Sequence, residues 1–346
     1  MTIKTQRLLA RAKKIAKKGE NEEARKLYTT VLEDSPNNKE AKNGLLALEE
    51  GKNQLSPPKE EVQSVYALYS NGEIQEALDS VEILTKDYPN APILHNISGA
   101  CYKEIGQLEK ASKSFEKAVD LKPDYTEALY NLGVTLRELG QVNDAIKSYE
   151  KALSIKHAYP NVHNNLGNIF LELSRLDDAV DHFEWAVAYK PDFVGAHNNL
   201  GNTLLTIGRL DDAVESYEKT LSLKPDYPEA HNNLGITFQK LGQVDAAVKS
   251  FKEALTIKPD YDKAHNNLGN AYQELGQLDD AVKSYEKAFT INPDYAEAHN
   301  NLGVTFKALG QLDDAVKSYK KALAINPEYT VARNNLDIAL EELSSK

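Results

Sequence analysis

The sequence predicts an all-α fold, an α-solenoid of antiparallel helix pairs closed by a single C-terminal helix. Three observations carry that expectation. The string His-Asn-Asn-Leu-Gly returns at His163, His197, His231, His265 and His299, a spacing of 34 residues. A fixed period of this length marks stacked units rather than one globular core. Small residues recur at two positions of the period. With Thr126–Tyr159 numbered 1 to 34, position 8 is Gly99, Gly133, Gly167, Gly201, Gly235, Gly269 and Gly303. Position 20 is Ala111, Ala145, Ala179, Ala213, Ala247, Ala281 and Ala315. Finally, apolar residues at positions 7, 10, 11 and 14, then at 17, 20, 21, 24, 27 and 28, follow helical periodicity twice per unit.

Each element of the unit has a mechanical reason. A glycine inside a helix costs about 1 kcal/mol against alanine, so its return at position 8 implies a backbone approach too close for a side chain. Position 20 supplies the small residue on the second helix, and the Phe or Tyr always found at position 24 fills the space between the pair. Asp124-Tyr-Thr-Glu127, Asp226-Tyr-Pro-Glu229 and Asp294-Tyr-Ala-Glu297 read as Asp N-caps with a glutamate three residues on. Gly140, Gly208, Gly242, Gly276 and Gly310 at position 15 end the first helix. Asp pairs such as Asp211-Asp212 begin the second, where the helix dipole favours negative charge. Position 32 is proline in six of the seven units, with His157 the exception.

The flanks follow the same logic. Eight tandem units are expected over 58–329 (58–91, 92–125, 126–159, 160–193, 194–227, 228–261, 262–295 and 296–329). The first of them is degenerate and keeps Gly72, Ala77 and Pro89. Residues 1–50 read as an N-terminal helical module. Within it Thr5–Asn38 keeps Ala12, Gly19, Ala24, Tyr28 and Pro36, and residues 39–50 form a lone first helix. Gly51-Lys-Asn-Gln-Leu-Ser-Pro57 reads as a linker. Residues 330–346 read as the capping helix, with Ala332, Leu336, Ala339, Leu340 and Leu343 toward the preceding unit and Arg333, Asp337, Glu341 and Glu342 toward water.

The small residues at 8 and 20, the aromatic at 24 and the proline at 32 resemble the tetratricopeptide repeat over nearly the whole chain. The resemblance implies a right-handed superhelix and a protein-binding role.

Composition removes several functions. No apolar run is long enough for a transmembrane helix, and the N-terminus lacks the apolar stretch of a secretory signal. The one cysteine, Cys101, excludes a disulfide framework and fits a reducing, cytoplasmic setting. Net charge is −11, while residues 1–18 carry +7, leaving −18 on the rest. An acidic solenoid repels phosphate backbones, so nucleic acid is not an expected partner. Leu8, Ala12, Ile15 and Ala16 beside seven cations would let residues 1–18 rest on an anionic membrane surface; the plainer reading pairs this helix with Ala24 and Tyr28.

Histidine occupies position 4 in six units, including His95. Equivalent helices of stacked units lie about 8–10 Å apart, too far for these histidines to share one metal, whose ligands sit about 2 Å away. They read as packed, hydrogen-bonded side chains. No nucleophile–base set or phosphate loop is present, so neither catalysis nor a cofactor or metal is expected.

The asparagines carry the functional expectation. Position 6 is Asn131, Asn165, Asn199, Asn233, Asn267 and Asn301, and position 5 is Asn in Asn96, Asn164, Asn198, Asn232, Asn266 and Asn300. Asparagine is a mediocre helix former, so such a ladder has one of two purposes. Either it bonds neighbouring repeats in register, or it presents donors and acceptors to an extended backbone. The position 6 ladder is similar to that in the superhelix of O-linked N-acetylglucosamine transferases, where inward asparagines hold a polypeptide. That resemblance implies a concave ladder here that fades at Gln63 and Ile97.

Neighbouring groove positions vary, with Asn168, Asn202 and Asn270 at position 9 and Leu171 and Leu205 at position 12 suggesting a mid-groove apolar anchor site. The expected function is therefore a non-catalytic scaffold binding a protein or peptide along its concave face. Two alternatives stand beside it. The chain is the recruiting arm of a larger glycosyltransferase-, sulfotransferase- or oxygenase-type protein, or a scaffold that self-assembles as a homo-oligomer.

Overall fold

A glycine face and an aromatic ring set each of the seven helix pairs between residues 92 and 325. In the computed structural model an ideal Cβ built on Gly235 would lie 2.6 Å from Phe251 Cε1, and one on Gly133 would lie 2.5 Å from Tyr149 Cε1. No side chain fits there, so the first helix lies with its backbone directly on the ring of the second. The rings are sealed in turn: Tyr149, Phe183, Tyr217, Phe251 and Tyr285 are fully buried, as are the position 20 alanines.

The structure describes residues 3–18, 20–54 and 56–345; Gly19 of the first unit and Leu55 of the expected linker lie outside them. Among the described residues there are helices and no strand, which makes the chain an all-α solenoid. It divides into two compact units, Met1–Ala158 and Tyr159–Lys346.

The first unit holds α1 (Ile3–Ala16), α2 (Asn21–Asp34), α3 (Lys39–Gln54), α4 (Lys59–Ser70), α5 (Ile74–Asp87), α6 (Pro92–Glu104), α7 (Leu108–Leu121), α8 (Thr126–Glu138) and α9 (Val142–Ile155). Helices α1 to α3 close on a core of Leu9, Ala12, Ala24, Tyr28, Val31, Ala41 and Leu48, with Leu8, Ile15 and Ala16 packed against it. The apolar stripe that a membrane-surface reading requires is thus spent on α2 and α3. A second core joins α4, α5 and α6 through Val65, Leu78, Val81, Leu94 and Ile97.

The expected linker is corrected at its start. Helix α3 runs through Gly51 to Gln54, because one interior glycine costs a helix only about 1 kcal/mol. The interruption falls at Pro57-Pro58, where proline removes a backbone donor and Pro58 caps α4.

The second unit holds α10 (Pro160–Glu172), α11 (Leu176–Tyr189), α12 (Val194–Ile207), α13 (Leu210–Leu223), α14 (Pro228–Lys240), α15 (Val244–Ile257), α16 (Asp262–Glu274), α17 (Leu278–Ile291), α18 (Ala296–Ala308), α19 (Leu312–Ile325) and α20 (Thr330–Ser344). Each helix packs on the next in sequence. Helix α20 ends the stack against α19, burying Ala332 and Ala339. Its position 8 is the exposed Asp337, where glycine would admit another helix. Leu340, expected inward, is 40% exposed.

The turns correct the capping expectation. The N-caps of α8, α14 and α18 are Tyr125, Tyr227 and Tyr295, without side-chain cap bonds. The aspartates therefore stand one residue too early to cap. The aromatic is needed at the cap position for packing: Lys224 Nζ sits 4.7 Å above the Tyr227 ring, and Lys122, Lys190 and Lys258 repeat the contact with Tyr125, Phe193 and Tyr261.

Position 15 behaves as expected. Gly140, Gly208, Gly242, Gly276 and Gly310 take φ of 72–82°, and in 160–193 Ser174 is held at φ 59° in the same place. A Cβ in the left-handed region costs about 1–2 kcal/mol. Ser174→Gly should therefore raise the stability of the second unit by about 0.5–1 kcal/mol, read as a higher urea midpoint at unchanged slope.

Candidate functional site

The first helices of successive repeats are tied together by the asparagines at positions 5, 6 and 9. In the first unit Asn131 Nδ2 donates to Asn96 Oδ1 at 3.1 Å. In the second, the Nδ2 groups of Asn199, Asn267, Asn301 and Asn335 donate to Oδ1 of Asn164, Asn232, Asn266 and Asn300, at 3.0–3.3 Å. Position 9 is a second acceptor: Asn199 also reaches Asn168, Asn233 reaches Asn202, and Asn301 reaches Asn270, at 2.9–3.1 Å. Tyrosine hydroxyls from position 24 converge on the same oxygens, Tyr217 on Asn202 and Tyr285 on Asn270, both at 2.7 Å. Burial pushes both phenols well above their ordinary range, so each remains a proton donor.

This arithmetic sets what the ladder can offer a ligand. An amide has two N–H donors and one oxygen acceptor. Asn199 and Asn301 each donate twice within the stack, so their donors are spent. Asn233 and Asn301 also accept, from Asn232 and Asn300. The oxygens of Asn131, Asn199 and Asn267 accept nothing among the described residues. All six ladder residues, Asn165 included, are half-buried, as are Asn168, Asn202, Asn270, Leu171 and Leu205. The position 5 residues Asn96, Asn198, Asn232, Asn266 and Asn300 are buried. Asn270 and Asn301 line a concavity of about 290 Å³ together with Gln273, Glu274 and Val304.

One position 5 residue breaks the pattern. Asn198 is buried, yet its Oδ1 has no partner, because Asn233 donates to Asn202 instead.

The histidines have a structural part that sequence spacing alone could reveal. Nε2–H of His95, His197, His231 and His265 donates to the carbonyl of the proline six residues earlier, Pro89, Pro191, Pro225 and Pro259, at 2.7–3.1 Å. In α20 Arg333 takes this place on Pro327 at 2.6 Å. His163 follows the one unit with His157 in place of that proline. Its Nδ1 meets His182 Nδ1 at 3.0 Å. Phe170 stacks on His182, and Trp185, 47% exposed, stacks on Tyr189 beside His163. Burial, then the neighbouring His163, pull the His182 pKa down to about 4. Asp178 and Asp181 oppose that shift and Arg175 adds to it.

Among the described residues no group of three histidine, cysteine or carboxylate side chains could hold a metal ion. Burial pushes the Cys101 thiol up to about 11. No helix among them is long and apolar enough to cross a membrane.

Comparison with known proteins places this geometry. A family model described as TPR repeat matches residues 99–136, 135–174, 167–208, 201–242, 238–276 and 269–310. A second, described as Tetratricopeptide repeat, matches 296–329. Protein CTR9 homolog of Arabidopsis thaliana is 27% identical over 118 residues, which is 34% of this chain and 9% of that protein. The match therefore spans less than a tenth of that relative's length. Two solved structures share the fold. One is a tetratricopeptide repeat protein from Parabacteroides merdae, with a TM-score of 0.51 and 20% identity over 71% of this chain and 97% of that one. The other is pilF of Pseudomonas aeruginosa, with a TM-score of 0.51 and 20% identity over 63% of this chain and 97% of that one.

Two outcomes follow from the site. Asn232→Ala removes an acceptor for Asn267 and a donor to Asn233, and should cost about 1–3 kcal/mol. The corresponding Asn198→Ala, which removes an unsatisfied oxygen, should cost less than about 0.5 kcal/mol; urea denaturation of the two variants compares them. For His182 the folded pKa lies below the unfolded value of about 6.5. The unfolded chain then binds more protons in between, so this stability is full above pH 6.5 and is lost as pH falls toward 4. Melting temperatures of the parent should fall more steeply over that window than those of His182→Gln.

Proposed function

The chain belongs to the tetratricopeptide repeat family, and from that premise we propose that it is a protein–protein interaction scaffold holding an extended partner segment along its first-helix face. The observation that carries the reading is the unspent amide chemistry of the ladder. Asn131, Asn199 and Asn267 each keep an oxygen acceptor on a half-exposed side chain. Those oxygens match the N–H groups of an extended polypeptide without regard to its side chains. Leu171 and Leu205 add apolar contact beside Asn168 and Asn202. An apolar anchor within a polar surround is the usual anatomy of an interface hot spot.

Because both donors of Asn199 are spent in the stack, binding on this reading runs mainly through the oxygens of Asn131, Asn199 and Asn267. A ligand whose backbone donors are blocked should bind poorly. The test is titration of peptides selected on the intact chain against the parent and an Asn199→Ala/Asn267→Ala variant. Affinity should fall about tenfold or more, and N-methylation of the peptide backbone should produce a comparable loss. Affinity unchanged in the variant, with the fold retained by circular dichroism, rejects the ladder as the contact.

A further inference from the structure

The amide ladder stops short of the N-terminal repeats, and the surface that replaces it has a different chemistry. Position 6 is Gln63 in α4 and Ile97 in α6. There, α4, the start of α6 and the turn before α8 enclose a cavity of about 580 Å³. Its walls are mostly carbon, from Pro57, Val62, Tyr66, Ile93 and Tyr125. The Tyr125 hydroxyl accepts from Asn96 Nδ2 at 3.4 Å, so its polar end is already engaged. The same amide donates to Glu127 at 3.1 Å, the carboxylate that joins burial in raising the Tyr66 and Tyr125 pKa values.

Two cations complete the lining. Lys59 and Lys122 are both exposed, and Lys122 Nζ stands 5.2 Å above the Tyr125 ring. Neither lysine forms an ion pair among the described residues, although carboxylates outnumber cations in this chain. A cavity of this size, apolar within and charged at two points, is of the kind that holds a compact group and reads its flanks.

We propose that this cavity docks a single aromatic or large aliphatic side chain of a partner polypeptide whose neighbouring residues are acidic. The anchor fills the space between Tyr66, Ile93 and Tyr125, and the flanking carboxylates meet Lys59 and Lys122. An apolar anchor alone would leave both cations unused. A nucleic acid would bring a phosphate charge at every nucleotide against a chain of net charge −11, whereas one or two carboxylates match the two lysines. The pocket lies outside Asn131–Asn301 and stands whether or not the ladder binds a ligand.

The experiment is selection of a random dodecapeptide phage library on the intact chain. Enriched peptides are then measured by fluorescence anisotropy against parent, Lys59→Glu/Lys122→Glu, Tyr66→Ala and Asn199→Ala/Asn267→Ala proteins. The expected set carries Phe, Trp or Leu beside two or more acids. It loses about tenfold or more in affinity in the lysine reversal and in Tyr66→Ala, and less than about twofold in the ladder variant. Both lysines are exposed, and circular dichroism checks that the reversal keeps the fold. The proposal is overturned if no such set is enriched, if its affinity ignores the lysine reversal, or if an oligothymidylate competes for the pocket.

Discussion

The contact between a glycine backbone and an aromatic ring governs this molecule. At position 8 the first helix carries no Cβ, and the ring at position 24 occupies the place where one would be. Gly99 faces Phe115, Gly201 faces Tyr217 and Gly303 faces Tyr319 in the same way. That contact fixes how close the two helices of a pair come. It also decides which side of each first helix is left for other work. With positions 7, 8 and 11 turned to the second helix, positions 5, 6 and 9 are left to meet the neighbouring repeats.

On that remaining face, stacking and recognition draw on the same amides. A buried unsatisfied amide is expensive, so the position 5 side chains are paired across repeats wherever geometry allows. Position 6 provides the donors for that pairing and stays half-exposed. Its remaining acceptors are what a ligand can meet. The stack and the proposed binding face are thus coupled: a substitution on the ladder perturbs the scaffold that orients its neighbours, and affinity is interpretable only beside stability. The pocket of Tyr66, Ile93 and Tyr125 touches this network only through the Tyr125 hydroxyl on Asn96, and neither of its two lysines forms an ion pair among the described residues.

Departures from the repeat are local and have legible causes. Unit 160–193 carries Ser174 at a left-handed position, and its His163 follows His157 rather than proline and turns to His182. In the next unit Asn198 loses its partner because Asn202 takes the amide of Asn233. In each place one altered side chain reassigns a hydrogen bond or strains the backbone, while the glycine–aromatic contact of the unit persists.

The period, the small residues and the helix stops were legible from the chain because each answers a local steric rule that recurs every 34 residues. A glycine on a helix interior and a glycine at positive φ each trace to a single steric cause. Other features depended on neighbours distant in sequence. Asp124, Asp226 and Asp294 satisfied a capping pattern, yet the rings of Tyr125, Tyr227 and Tyr295 took the cap position for packing. Gly51 looked like a break, and a single interior glycine did not stop α3, which runs to Gln54. The partition of each asparagine between stack and surface was likewise beyond periodicity, since Asn164 and Asn198 stand in the same His-Asn-Asn-Leu-Gly-Asn string, yet only Asn164 receives an amide from the next repeat. Only the tertiary arrangement decides which amide a given donor reaches, because hydrogen bonds depend on angles and distances of tenths of an ångström that repeated residues do not encode.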